Sequence, residues 1–152
     1  MSRKLKFLLL SLIAIAIMLV NPYKLIVVRG NSMYPTLKNG NILLGKKSNY
    51  FKRGDIVVAQ NDTFETIIKR IKYVGGDNYY YSFNKNSAEF NLIEDCSYAN
   101  LYKIISSEEQ SIMHLVVPKN QYYILGDNRD ESDDSRRFGS IHKESIIYKI
   151  VN

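Results

Sequence analysis

Beyond Pro22 the apolar residues of this chain come in short runs closed by polar, often glycine-containing turns, and no sustained helical period appears. Residues 25–28 (LIVV), 41–44 (NILL) and 55–59 (DIVVA) are such runs, with turns at Lys38-Asn39-Gly40 and Lys52-Arg53-Gly54-Asp55 between them. A longer extended segment, 66–74 (TIIKRIKYV), ends at Gly75-Gly76-Asp77, and 113–117 and 121–125 read as two strands around the Pro118-Lys119-Asn120 turn. Apolar β-branched runs at intervals of roughly 10 to 15 residues, punctuated by turn signals, predict antiparallel β structure. A dense polar loop follows at 126–139, and one more apolar run, 141–151, closes the chain. With 152 residues there is material for one domain and a moderate core. Residues 78–111 mix Tyr, Asn, Ser and acidic groups around two small apolar patches, which predicts a β-ribbon or inserted subdomain.

The N-terminus differs from all of this. Residues 7–20 carry no charge and one hydroxyl. As a helix, 7–23 would span about 25 Å at ~1.5 Å per residue, slightly short of the ~30 Å hydrocarbon core of a bilayer. Lys4, Lys6 and Lys24 could snorkel to close that gap. No pair of small residues with −3 and −1 spacing follows, so an uncleaved anchor is expected rather than a removed leader. Arg3, Lys4 and Lys6 then keep the N-terminus in the cytoplasm and put the remainder outside. The expected organisation is a basic N-terminus and single transmembrane anchor at 1–23, then an extracytoplasmic domain at 24–152.

Composition removes several function classes. The net charge is +6, but once Arg3, Lys4 and Lys6 are set aside 18 basic residues face 15 acidic ones, and no basic stripe with interleaved aromatics remains for a nucleic acid. Cys96 is the single cysteine, so neither an intramolecular disulfide nor a cysteine metal site can form. His114 and His142 lack a companion ligand pattern. No metal, nucleotide or flavin motif is present, and no cofactor is expected.

Chemistry gathers around one serine. In Gly30-Asn31-Ser32-Met33-Tyr34-Pro35-Thr36 the proline fixes its own φ and pushes Tyr34 towards an extended conformation, while Gly30 and Asn31 tolerate unusual backbone geometry. The segment reads as a non-helical bend holding the Ser32 hydroxyl in one direction, though an ordinary turn has the same composition. A serine nucleophile needs a partner to take its proton, and no G-x-S-x-G elbow is present. A lysine serves if desolvation makes it neutral. Lys69 alternates with Ile67 and Ile71 in its strand and would point inward with them, its pKa moving down from ~10.4. From composition alone, Lys69, Arg70 and Lys72 also fit a solvated charge cluster on an edge strand.

Residues 30–36 resemble the nucleophile box of bacterial type I signal peptidases. Ile68-Lys69-Arg70 with Gly76-Asp77 resembles their lysine box, and Arg53-Gly54-Asp55 with the following valines resembles the box between. Gly126-Asp127-Asn128-Arg129 through Ser132, Asp134-Ser135-Arg136 and Gly139 is similar to the family's C-terminal box, and the order of all four agrees. The resemblance implies a mainly β catalytic domain of signal-peptidase type behind a transmembrane helix. The implied enzyme is a serine endopeptidase that removes signal peptides from exported preproteins on the outer face of the cytoplasmic membrane. By the same resemblance Ser32 is the nucleophile and Lys69 the general base, Ser132 hydrogen-bonds the lysine, and Asp134 and Arg136 form a salt bridge that shapes the loop. Val28, Met33, Leu37 and Ile68 fall at positions resembling the walls of shallow pockets that select small residues at −1 and −3, with substrate bound as an added strand. Gly30 stands where some members carry an oxyanion-binding hydroxyl residue, and Tyr73-Val74-Gly75-Gly76-Asp77 departs from the usual lysine-box ending. A narrow-client Ser/Lys processing protease (conjugation or pilus maturation) and an inactive anchored binding homologue remain the alternatives.

Overall fold

The computed structural model describes residues 3–20, 22–61, 64–94 and 96–151. A helix, α1 (Arg3–Val20), precedes ten strands: β1 (Tyr23–Val27), β2 (Ile42–Lys46), β3 (Ile56–Asn61), β4 (Phe64–Val74), β5 (Asn78–Asn84), β6 (Glu89–Ile93), β7 (Gln110–Val116), β8 (Gln121–Leu125), β9 (Ile141–His142) and β10 (Ile146–Val151). Two short helices, α2 (Tyr98–Ile105) and α3 (Ser135–Phe138), lie between them. A seven-stranded antiparallel sheet has the order β1-β2-β10-β3-β4-β8-β9, and a three-stranded sheet the order β6-β5-β7. The domain is mainly β and antiparallel, as the runs predict.

Both faces of the large sheet are covered at its centre. Val57 and Ala59 pack with Ile71, Ile124, Ile141 and Ile146 in one core cluster. Their neighbours Ile56 and Val58 pack with Val28, Met33, Leu37 and Ile150 in another. Burial on both sides explains why β3 reads as a continuous apolar run and not an alternating one. A third cluster, Tyr73, Tyr79, Tyr123, Val117 and Leu125, joins the two sheets, with the Tyr79 and Tyr123 ring centroids 4.8 Å apart.

The long strand β4 organises the site. It pairs with β3 along Phe64 to Arg70, but β8 meets it only from Arg70 onward. Between 64 and 69 its second edge has no partner strand among the described residues, and β1 likewise pairs with β2 alone.

Three expectations are corrected. The segments 113–117 and 121–125 do form strands, but β7 pairs with β5 in the small sheet and β8 with β4 in the large one. The turn at 118–120 is therefore a crossing between sheets, with Asn120 at φ 61°. The chain after Pro22 is not free of helix: Ser97 caps α2 by accepting from the Asn100 N–H. The run 141–151 is broken by a 3₁₀ turn at Lys143–Ser145, so β9 joins β8 while β10 inserts between β2 and β3. As for α1, no helix among the described residues is long and apolar enough to cross a membrane. Arg3, Lys4 and Lys6 occupy its first turns, leaving uncharged only 7–20, about 21 Å at ~1.5 Å per residue.

Candidate active site

Ser32 is held by a loop whose ends are tied together. Val28 N–H donates to the Asn41 carbonyl (2.9 Å) and Gly40 N–H returns to the Val28 carbonyl (2.9 Å). Inside the loop, Tyr34 N–H donates to Asn31 O and Leu37 N–H to Met33 O, both at 2.9 Å. Met33 and Leu37 bury their side chains in the core and anchor the turn from below. Gly30 adopts φ +83°, a left-handed conformation that a side chain would resist, and its N–H reaches the Asn39 Oδ1 (3.1 Å).

Lys69 meets this serine from β4. Its Nζ lies 2.7 Å from the Ser32 Oγ, and the residue is only 4% exposed. Inward-facing burial, one of the two readings open from sequence, is what the strand adopts. Burial pushes the Lys69 amine below the ordinary lysine range; Asp134 and Asp133 pull it back up, and Arg136 opposes them. Among the described residues no carboxylate forms a salt bridge with it. A lysine so placed can hold a lone pair towards the serine hydroxyl.

The polar loop after β8 closes over the pair. Asp134, 1% exposed, accepts from Arg136 Nε (2.8 Å), Arg136 Nη2 (3.0 Å), Arg136 N (3.2 Å) and Gly126 N (3.0 Å). Burial alone would raise the Asp134 pKa, but the bonds from Arg136 and from the Gly126 N–H outweigh it and hold the carboxyl below its usual range. Arg136 also donates to the Arg129 (2.6 Å) and Ser132 (3.3 Å) carbonyls. Asn128 N–H donates to the Ser32 carbonyl (3.0 Å) and its side-chain amide to Asn31 O (3.3 Å). Gly126 is required by space: a Cβ there would stand 2.1 Å from Ser132 Oγ and 2.5 Å from Ser32 O.

The structure brings Ser32, Lys69 and the Asp134–Arg136 pair together. The expected Ser132–Lys69 hydrogen bond is not formed: Ser132 Oγ is buried beside Asp134 and makes no hydrogen bond of good geometry among the described residues. A cleft of ≈ 660 Å³ opens beside Ser32 and Lys69, lined by Ile26, Val27 and Arg29 on one side and by Glu65 to Lys69 on the other, with Gln60 and Ser32. Of the four expected pocket residues, Ile68 lines this cleft, whereas Val28, Met33 and Leu37 lie in the core cluster against which Ile68 packs.

Sequence reading assigned no role to two further ion pairs. Arg70 binds Asp127 through two nitrogens (2.9 and 2.7 Å) and donates to the Gly54 carbonyl (2.9 Å), joining three of the four boxes. Arg53 donates to Asp77 (2.7 Å), whose carboxylate also accepts from Val74 N–H (2.8 Å). The residues were visible in the boxes, but nothing in a linear pattern says which distant charge meets which.

A family model described as signal peptidase, peptidase S26, matches residues 1–151. Signal peptidase IB of Staphylococcus aureus is 30% identical over 151 residues, covering 87% of this chain and 76% of that protein. Signal peptidase I V of Bacillus subtilis (strain 168) is 30% identical over 132 residues, covering 79% of each. A crystal structure of a signal peptidase I from Enterococcus faecalis V583 aligns with a TM-score of 0.42 at 22% identity, over 68% of this chain and 98% of that one.

Proposed function

The chain belongs to the signal peptidase family, peptidase S26, and is a signal peptidase hydrolase; from that premise we propose that it cuts signal peptides from exported preproteins with a Ser32/Lys69 dyad. The observation that carries this is the 2.7 Å approach of Lys69 Nζ to Ser32 Oγ by a lysine that is buried and, among the described residues, has no carboxylate partner. Neutral Lys69 takes the Ser32 proton as Oγ attacks the scissile carbonyl carbon. The carbonyl oxygen becomes an oxyanion, for which the Ser32 backbone N–H serves as a donor. When the C–N bond breaks, the Lys69 ammonium returns a proton to the leaving amine. A water molecule, deprotonated by Lys69, attacks the acyl carbon; the C–Oγ bond breaks, and the Lys69 ammonium returns the proton to Ser32 Oγ.

The preprotein enters the cleft as an added strand between the open edges of β1 and the first half of β4. Ile68 in the wall of that cleft disfavours bulk and selects small residues at −3 and −1. The uncharged stretch of α1 falls short of a full span by itself; with the bilayer thinned around it and Lys4, Lys6 and Lys24 snorkelling to either surface, it would anchor the enzyme in the cytoplasmic membrane with 24–152 on the outer side.

The test is cleavage of a preprotein with alanines at −3 and −1 by the detergent-solubilised full chain, with Ser32→Ala alongside. Cutting at that junction by the wild type alone supports reaction and nucleophile together. No cutting by either folded protein points to a narrow-client protease or an inactive homologue, and equal cutting by both removes Ser32 from the role.

A further inference from the structure

The three-stranded sheet sends no residue into the cleft beside Ser32, yet the residue just past its edge strand reaches the loop around it. Glu94 stands immediately after β6. Its Oε1 accepts from Arg129 Nε (2.5 Å), and its Oε2 accepts from Arg129 Nη2 (3.0 Å) and Lys72 Nζ (2.8 Å). Lys72 sits on β4, two residues beyond Arg70 and three beyond Lys69. Arg129 sits in the polar loop and donates through Nη1 to the Gly126 carbonyl oxygen. Gly126 is the residue that lies against Ser32 O and Ser132, with its N–H held by Asp134. Among the described residues neither Lys72 nor Arg129 has a second salt-bridge partner.

One carboxylate therefore spans three parts of the chain: the small sheet, the strand of the dyad lysine and the loop over the dyad serine. The Arg129 fork is side-on and bidentate, which fixes direction as well as distance. The bonds from Arg129, reinforced by Lys72, hold the Glu94 carboxyl at about 2 against the opposing effect of burial, so it remains a fixed anion and carries no proton during turnover.

We propose that Glu94 is a positioning residue for cleavage, and that the small sheet serves as a buttress setting the distance between β4 and the Gly126 loop. This rests on the Ser32/Lys69 reading. A misplacement on the order of 1 Å beside a nucleophile is enough to slow chemistry about a hundredfold, whereas substrate contacts in the cleft would be untouched.

The experiment measures kcat and KM for one preprotein, with thermal melting, for the full chain and for Glu94→Gln, Glu94→Asp, Arg129→Gln and the Glu94→Gln/Arg129→Gln double variant. The expected result is a kcat lowered about tenfold in each Gln variant with KM within about twofold. The double variant should be no slower than the slower single one, because both break one connection, and Glu94→Asp should recover part of the rate. Unchanged kcat in Glu94→Gln, losses that multiply in the double variant, or losses that follow a fall in the folded fraction would each overturn the proposal. Ser32→Ala run in parallel separates the two readings. If it is inactive while Glu94→Gln is fully active, the buttress alone fails; if it cleaves like wild type, the dyad itself fails.

Discussion

Asp134→Asn tests the loop where the structure makes its strongest energetic statement. The carboxylate is 1% exposed and accepts four N–H groups, two from the Arg136 guanidinium and one each from the Arg136 and Gly126 backbones. Asparagine keeps one acceptor oxygen and turns the other into a donor, so either orientation sets an NH₂ group against N–H groups. Breaking one partner of a buried pair costs about 3–5 kcal/mol; since asparagine saves part of the bonding, about 2–4 kcal/mol is expected here. For a chain of this size each kcal/mol moves Tm by about 2–4 °C, which gives a drop of about 5–15 °C at neutral pH. The folded Asp134 carboxyl is held below its unfolded value near ~3.9. Its contribution is thus complete above the unfolded pKa and disappears as pH falls through the folded one. Melting curves of both proteins from about pH 3 to pH 7 should therefore converge towards the acid end. Equal Tm at pH 7, or a gap that stays constant into acid, would refute the role assigned to this pair.

Lys69→Arg should leave a folded protein that does not cleave, because arginine keeps its charge at any working pH. In the wild type kcat/KM should rise as Lys69 loses its proton, with an acid limb below the ordinary lysine range; substantial turnover by the variant, or a flat profile, would remove Lys69 as the base. Gly126→Ala puts a methyl group 2.1 Å from Ser132 Oγ and 2.5 Å from Ser32 O, and the rate should fall at least about tenfold by displacement of the loop. Wild-type rates in that variant would show that the loop need not lie against Ser32.

What could be read from sequence was whatever depends on near neighbours. The strands β1 to β4 were legible because apolar runs and turn residues are local signals, and the bend at Ser32 because Pro35 and Gly30 act on their own segment. The alternation of Lys69 with Ile67 and Ile71 pointed its side chain inward, though a solvated cluster fitted the same residues until Ser32 was seen beside it. Strand partners are a different matter. Nothing between Val117 and Gln121 says that β7 and β8 lie in different sheets, since that depends on the tyrosine cluster assembled from four separate segments. The helix α2 was missed because its eight residues are too few for a clear period. Val28, Met33 and Leu37 were expected at the cleft wall by resemblance; their apolar side chains suit a core position equally well, and only packing separates the two.

The ion pairs around the site have a common physical logic. A lysine that serves as a base has to be kept from any carboxylate that would stabilise its charged form. Asp133 and Asp134 are the acids whose fields raise the Lys69 pKa. Asp134 has both oxygens committed to Arg136 and the Gly126 N–H, and Asp133 leans outward to Arg137 at 3.3 Å. The Arg136 charge opposes that of Asp134 at Lys69, so the salt bridge also cancels, as the proposed base role requires, part of the field that would keep this lysine protonated. Glu94 and Asp127 are engaged in the same way, by Arg129 and Lys72 and by Arg70. Arginine suits this task because its fork occupies both carboxylate oxygens at once. A buried lysine facing a serine therefore depends on acids placed near enough to hold the surrounding segments together, each with its charge already directed elsewhere.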